Sequence, residues 1–454
     1  MSHEQTKNWL LTGLVALSLL LTWEMWTFQP DIEWLNSNNI SPTEPLTNEE
    51  KELREVIKPE SLVVHNDNEN YLIPIESDEY QQIYPRIFQE LIEGDVSTNS
   101  TFYPMRDQDG LEIIFPTNIP IDVFTDLFRQ EEDELFIPLE SVDRMFLFTE
   151  EGQLFIQLYS ANGPMTYVLR SSLDGNMFQS IVLDSMEGFE PAKPIKDLLE
   201  TDNYAEQIYI PTEPVKARTY SYTTRSISID FFQRLLFPNP SVVNPTIQES
   251  GTFYTDGSRI LEVTRQEDMM DFHYPVLSDS SEPSSRHIVE SSFDYINGHG
   301  GFTDDYHLWS WTSLDGREEA VFRMKVNHLP VLRYMDEDLM KLTVTRTGGQ
   351  TVGYSRPLFA IESQPSNIIH SSEVKLLSGE ELLEVMHQQF MDQQMTFDLS
   401  KVSKVMVGYD MRKRDTSYVT LVPAWFIQYD GRWFKPDVKE AEAAINEEEG
   451  NELE

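Results

Sequence analysis

The chain has no cysteine, which excludes disulfides, thiolate nucleophiles and cysteine-bound metals. Positive charge is scarce as well: 34 lysines and arginines stand against 77 aspartates and glutamates, a net charge of −43. Such a surface repels nucleic-acid phosphates and anionic headgroups, so no nucleic-acid partner is expected. Phosphate-binding glycine loops, G-x-S-x-G elbows and H-E-x-x-H helices are all missing from the 454 residues. No cofactor is expected either. What is present is a chain able to build cores, because hydrophobic residues make up 40% and aromatics 11%.

One apolar run has membrane length. From Trp9 to Phe28 the chain reads WLLTGLVALSLLLTWEMWTF, with Glu24 its single charge. As a helix this run spans roughly 30 Å, the thickness of a bilayer core. Trp9 marks one interface, and Trp23, Trp26 and Phe28 mark the other. No small residues offer a cleavage site after the run, so residues 9–28 are expected to remain as an anchor. Lys7 and the amino terminus place residues 1–8 in the cytoplasm and the bulk of the chain outside the cell membrane. Gly13, Ala16, Leu20 and Glu24 share a stripe about 80° wide on this helix. Small residues allow another helix to approach closely, so the stripe is the expected contact face for a transmembrane partner. Glu24 alone also fits a plainer role, reaching the outer interface where its charge costs little.

Beyond the anchor the fold class reads as α+β. Residues 29–46, with Pro30, Pro42 and Pro45, form a linker. Three extracytoplasmic domains are expected, over 47–203, 204–335 and 336–438, followed by an acidic tail at 439–454 with seven glutamates and one lysine. In the first domain Thr47 and Glu50 have capping-box spacing for a short helix to Ile57. A helix is predicted over 77–93, stopped by Gly94, from Tyr80, Ile83, Tyr84, Ile87, Phe88 and Leu91. Strands are expected over 61–65, 71–75, 111–115, 142–149, 154–159 and 166–170, with short helices at 122–129 and 192–199. The other two domains share an order of two strands, a helix at 285–296 or 379–393, then further strands. That order suggests tandem modules of similar fold. Asp256, Asp315 and Asp430, each followed by glycine between strand-like runs, are expected to form hairpin turns.

The search for chemistry finds fragments. His299, Asp304, Asp305 and His307 lie within nine residues and are weak candidates for a metal site, since their spacing matches no fixed motif. Ser372 and Lys375 have the S-x-x-K spacing of penicillin-binding enzymes, but Arg346-Thr-Gly348 precedes that serine instead of following it. The run from Asn66 to Asn70 lacks the glycine and closing glutamate of a calcium loop. No catalytic set assembles, so an enzyme is not expected.

Two stretches carry a family likeness. The anchor and its exit, WLLTGLVALSLLLTWEMWTFQP at 9–30, and the closing segment LVPAWFIQYDGRWF at 421–434, resemble the YycH family. Members of that family are membrane-bound accessory regulators of the WalK/WalR two-component system of low-GC Gram-positive bacteria. The resemblance implies three extracytoplasmic domains, the second and third alike. It further implies partnership with the sensor histidine kinase WalK and the companion protein YycI, partly through transmembrane helices, and it carries no catalytic residues. Two other classes stay open: an extracytoplasmic sensor that binds a wall or lipid precursor, and a metal-dependent envelope hydrolase built on 299–307.

Overall fold

A computed structural model describes Ser18, Leu46 and residues 50–438 except 75–77, 90–91, 96–102, 105–107, 129–136, 163–164, 185, 187, 196–207, 265–266, 276–283, 336, 364 and 416–417. The expected anchor, linker and tail lie outside the described residues, apart from helical Ser18 and Leu46. Among the described residues no helix is long and apolar enough to cross a membrane.

Nine described strands form the first sheet: β1 (Ser61–Asn66), β2 (Glu69–Leu72), β3 (Ile92–Asp95), β4 (Gly110–Pro120), β5 (Ser141–Glu150), β6 (Gln153–Ser160), β7 (Met165–Asp174), β8 (Glu190–Pro194) and β9 (Tyr209–Pro211). Their order is β3-β7-β6-β5-β4-β1-β2-β8-β9, antiparallel throughout. Side chains alternate across a strand, so Leu62 and Val64, Leu111 and Ile113, and Met145 and Leu147 face one core together. Of the helices α1 (Leu53–Val56), α2 (Asp78–Gln89), α3 (Ile121–Thr125) and α4 (Gly175–Val182), α4 packs on β5, β6 and β7 and against α2. Tyr80, Ile83, Tyr84 and Ile87 of α2 are buried at the predicted helical spacing, with Pro85 inside the helix.

The opposite face carries the residues between these. His65, Glu112 and Arg144 project there, joined by Tyr209 of β9. The Glu112 carboxylate is fully buried and lies 3.0 Å from His65 Nε2 while accepting from Arg144 at 2.9 Å and Tyr209 at 2.9 Å. Burial alone would raise its pKa, but Arg144 and His65 outweigh that and hold it at about 2.

Several sequence expectations shift here. Thr47 lies outside the described residues; helix α1 begins only at Leu53, beyond Glu50, where Glu55 accepts the Glu52 N–H at 2.6 Å. Gly94 lies in strand β3 and does not end α2. The helix expected at 192–199 is replaced over 190–194 by β8, whose Pro191 and Pro194 cannot donate to a helix interior. The helix expected at 122–129 spans only Ile121–Thr125. Asp174, followed by Gly175, caps α4 by accepting from Asn176 N at 2.9 Å.

The second sheet comprises fifteen described strands. They are β10 (Lys216–Ser226), β11 (Asn244–Ile247), β12 (Gly251–Thr255), β13 (Ile260–Thr264), β14 (Met269–His273), β15 (Asp305–Leu314), β16 (Arg317–Val326) and β17 (Leu329–Tyr334). After these come β18 (Lys341–Thr347), β19 (Gln350–Pro357), β20 (Phe359–Ile361), β21 (Ile368–Lys375), β22 (Val402–Asp415), β23 (Tyr418–Tyr429) and β24 (Arg432–Phe434). The main path runs β11-β12-β13-β14-β19-β18-β16-β17-β22-β23-β10-β20, with β15 on β16, β21 on β10 and β24 on β23. The expected tandem blocks are therefore interleaved. Strands β18 and β19, beyond residue 336, complete the sheet of β11–β16, while β10 sits between β21 and β23. Asp315-Gly316 and Asp430-Gly431 turn hairpins with positive φ, as their spacing predicts.

Three described α-helices pack on this sheet: α5 (Ile229–Leu236), α6 (Ile288–Gly298) and α7 (Gly379–Asp392). Ser378 and Glu381 form the predicted capping box of α7. Leu382, Leu383, Met386 and Phe390 of α7 pack with Ile210, Trp425 and Ile427. The two sheets share one continuous buried cluster, and polar ties bridge them: Lys404 pairs with Glu60, and Trp311 Nε1 donates to the Asn118 carbonyl at 2.7 Å.

Strand β17 joins the halves of the larger sheet, antiparallel to β16 at its start and then parallel to β22. A Cβ at Gly408 of β22 would lie 2.8 Å from both the Pro330 carbonyl and Leu332 Cδ1. Gly408→Ala is therefore expected to push β17 away and cost about 1–3 kcal/mol, read as a lower urea midpoint of the purified chain. Glu112 contributes stability above the ordinary carboxylate range that is lost as pH falls toward about 2. Glu112→Gln should remove on the order of 3 kcal/mol at pH 7 and flatten the fall in Tm between pH 5 and pH 3, measured by thermal melts.

Candidate functional site

The polar segment 299–307 is divided by the fold. The His299 ring stacks on Tyr295 at 3.8 Å, with Nδ1 2.8 Å from the Tyr295 carbonyl. Asp304 is drawn toward β20, where it accepts Ile361 N–H at 2.8 Å and the Thr303 hydroxyl at 3.2 Å. Burial pushes its carboxyl up to about 7 against those donors. Asp305 and His307, two apart on β15, do meet: His307 Nε2 lies 3.1 Å from Asp305 Oδ1, which is also 3.2 Å from Lys51 Nζ. Burial and the nearby Lys325 lower His307 to about 4. Among the described residues, no three histidines, aspartates or glutamates are grouped to hold a metal. Asp304 lies in the bend just before β15, and its bond to Ile361 N–H separates it from the pair.

The other fragments also resolve into structure. Ser372 and Lys375 lie three apart on β21 and so face opposite sides. Arg346 is buried and pairs with Glu318 at 2.7 Å. Asp67 and Asn68, both at positive φ, turn the β1–β2 hairpin instead of opening a calcium loop. Gly13, Ala16, Leu20 and Glu24 lie outside the described residues.

A cleft of about 540 Å³ opens between the first sheet and the β15–β17 and β22 region. Phe115, Arg144 and Tyr209 line one side, and Trp309, Lys325 and Lys404 the other. Trp309 reaches it through a β-bulge, where the β15–β16 register shifts between Leu308 and Ser310. Its ring lies 4.5 Å from the Arg323 guanidinium carbon and 5.4 Å from Lys404 Nζ. Arg323, only 2% exposed, is held by Asp338 at 2.6 Å and the Val331 carbonyl at 3.0 Å. Lys404 donates to the Pro116 carbonyl at 2.6 Å beside its pairing with Glu60.

Lys325 stands apart from these partnered cations. It is 7% exposed and lines the cleft, yet no hydrogen bond or ion pair joins its nitrogen to another described residue. Burial lowers its ammonium to about 8, even though Asp305 and Glu60 act to raise it. Asp305, opposite it in the ladder, is engaged by Lys51 and His307. Neither Lys325 nor Glu112 stands out in the sequence. The available signal was charge at alternate positions, Arg323 and Lys325 between Phe322, Met324 and Val326, which reads equally as an exposed strand face.

Comparison with known proteins places this geometry in a family. The model of the YycH protein N-terminal domain matches residues 4–187, and that of the YycH protein C-terminal domain matches residues 205–442. The two-component system WalR/WalK regulatory protein YycH of Bacillus subtilis (strain 168) is 23% identical over 456 residues, 95% of this chain and 96% of that protein. The crystal structure of YycH from Bacillus subtilis superposes with a TM-score of 0.65 at 19% identity, covering 86% of this chain and 98% of that one. With both domain models matched along nearly its whole length, the chain belongs to the YycH family.

Proposed function

We propose that the chain is a membrane-anchored, non-enzymatic regulator of a WalK-like sensor histidine kinase, acting with a YycI-like companion protein. The observation that carries this reading is the likeness, along 95% of the chain, to a protein described as a WalR/WalK regulator. The scattering of the 299–307 side chains and of Ser372 and Lys375 supports a role through contacts and not through catalysis. In this reading residues 9–28 span the cell membrane with residues 1–8 in the cytoplasm and the folded part outside. Gly13, Ala16, Leu20 and Glu24 form the helix face that meets a partner.

A regulator of this kind shifts a kinase between two states only by binding one of them more tightly. Contacts inside the bilayer supply that difference, and the folded domains outside adjust it. Exchanging residues 9–28 for an unrelated anchor of equal length is expected to keep the chain in the membrane and abolish its effect on phosphorylation of the response regulator. The measurement is the phosphorylated fraction of that regulator in cells carrying either version. An unchanged fraction would exclude the helix as the working surface.

A further inference from the structure

The cleft between the sheets has a chemistry that kinase regulation does not call for. Its volume of about 540 Å³ falls in the range of small-molecule sites, roughly 300–1,000 Å³. Its charge is opposite to that of the chain. Arg144, Lys325, Lys401 and Lys404 line it against the carboxylates of Glu60 and Asp143, in a chain of net charge −43. Three of those cations have partners: Arg144 has Glu112, Lys404 has Glu60, and Lys401 lies 3.9 Å from Asp430. Lys325 has none among the described residues, although it is more than nine-tenths buried. A largely buried lysine whose ammonium touches no carboxylate is costly to hold, although Asp305 and Glu60 lie near enough to favour its charge, and an anion entering the cleft removes that cost.

We propose that this cleft binds a phosphate-bearing small molecule, with Lys325 and Lys404 on the phosphate and the ring or apolar part against Trp309 and Tyr209. Lys404 is near enough to repel the Lys325 ammonium, so a dianion that faces both relieves more than a single carboxylate does. Lysine suits this task because its point charge with three donors takes phosphate without a fixed fork. The bulge that turns Trp309 into the cleft sets an aromatic face beside those charges. Ligand binding here does not depend on which kinase the chain regulates.

Competitive acetylation of the purified full-length chain, read at Lys325 by peptide mass spectrometry, tests the assignment. Inorganic phosphate is expected to protect Lys325 saturably, while acetate and chloride at matched ionic strength leave its rate unchanged. Glucose 1-phosphate and dihexanoyl phosphatidic acid distinguish a soluble from a lipid-borne phosphate, and the true class protects at lower concentration than inorganic phosphate. Lys325→Met, which replaces a buried charge with an apolar chain of similar length, should fold with a Tm no lower than the parent. Its affinity for phosphate, from the Tm shift on titration, should fall at least about tenfold. Lys404→Gln should weaken phosphate binding as well. Lys325 reactivity indifferent to phosphate, or an equal Tm shift in the Lys325→Met chain, would overturn the site. Acetate protecting as well as phosphate, or both esters binding no better than inorganic phosphate, would overturn the ligand class.

Discussion

Strand β17 pairs in two directions, and the larger sheet is continuous because it does. Its first residues close the hairpin with β16, where Lys325 opposes Pro330 and Val326 opposes Leu329. Its later residues run parallel to β22, where Val331 opposes Tyr409. A strand that changes partners needs its backbone held from the side. Arg323 does this by binding the Val331 carbonyl and Asp338 together, under the Trp309 ring. Gly408 allows the close approach on the other edge. The two halves of the sheet consequently exchange strands across residue 336, and neither half is a closed unit.

The same region forms the wall of the cleft. Arg323 and Lys325 are two apart on β16 and so share a face. One of them is spent on β17, and the other meets the open space between the sheets. Across that space Lys404, Glu60, Trp311 and Asn118 tie the first sheet to the second. These ties are few and polar, beside one shared apolar cluster. A ligand seated among them would touch both sheets, and its binding could thereby bias their relative placement. A ligand shifts such an equilibrium only by contacting one arrangement more favourably than the other.

Much of the fold was legible because the relevant signals are local. The helical spacing of Tyr80, Ile83, Tyr84 and Ile87, the capping box of Ser378 and Glu381, and the Asp-Gly turns at 315 and 430 all depend on neighbours within a few residues. Local signals failed where a distant strand prevailed. The 192–199 stretch reads as a short helix, yet β2 and β9 supply hydrogen-bonding partners on both sides of Ala192. The repeated order of elements between 252 and 434 is visible in the sequence, but β18 and β19 of the second block pair with β16 and β14 of the first.

The site shows the same division. The sequence by itself determined the absence of thiol chemistry, the strong acidity, the α+β class and the family likeness, since each follows from residue types or short spacings. It offered His299, Asp304, Asp305 and His307 as a cluster because they are close along the chain. Only the tertiary structure decided which of them meet: β15 sets Asp305 and His307 on one face, while Ile361 holds Asp304 and Tyr295 holds His299. It alone buried Glu112 among three strands and left Lys325 without a hydrogen bond or ion pair among the described residues. Burial and pairing are relations between residues far apart in sequence, and a strand's charged face looks the same until the sheet opposite it is in place.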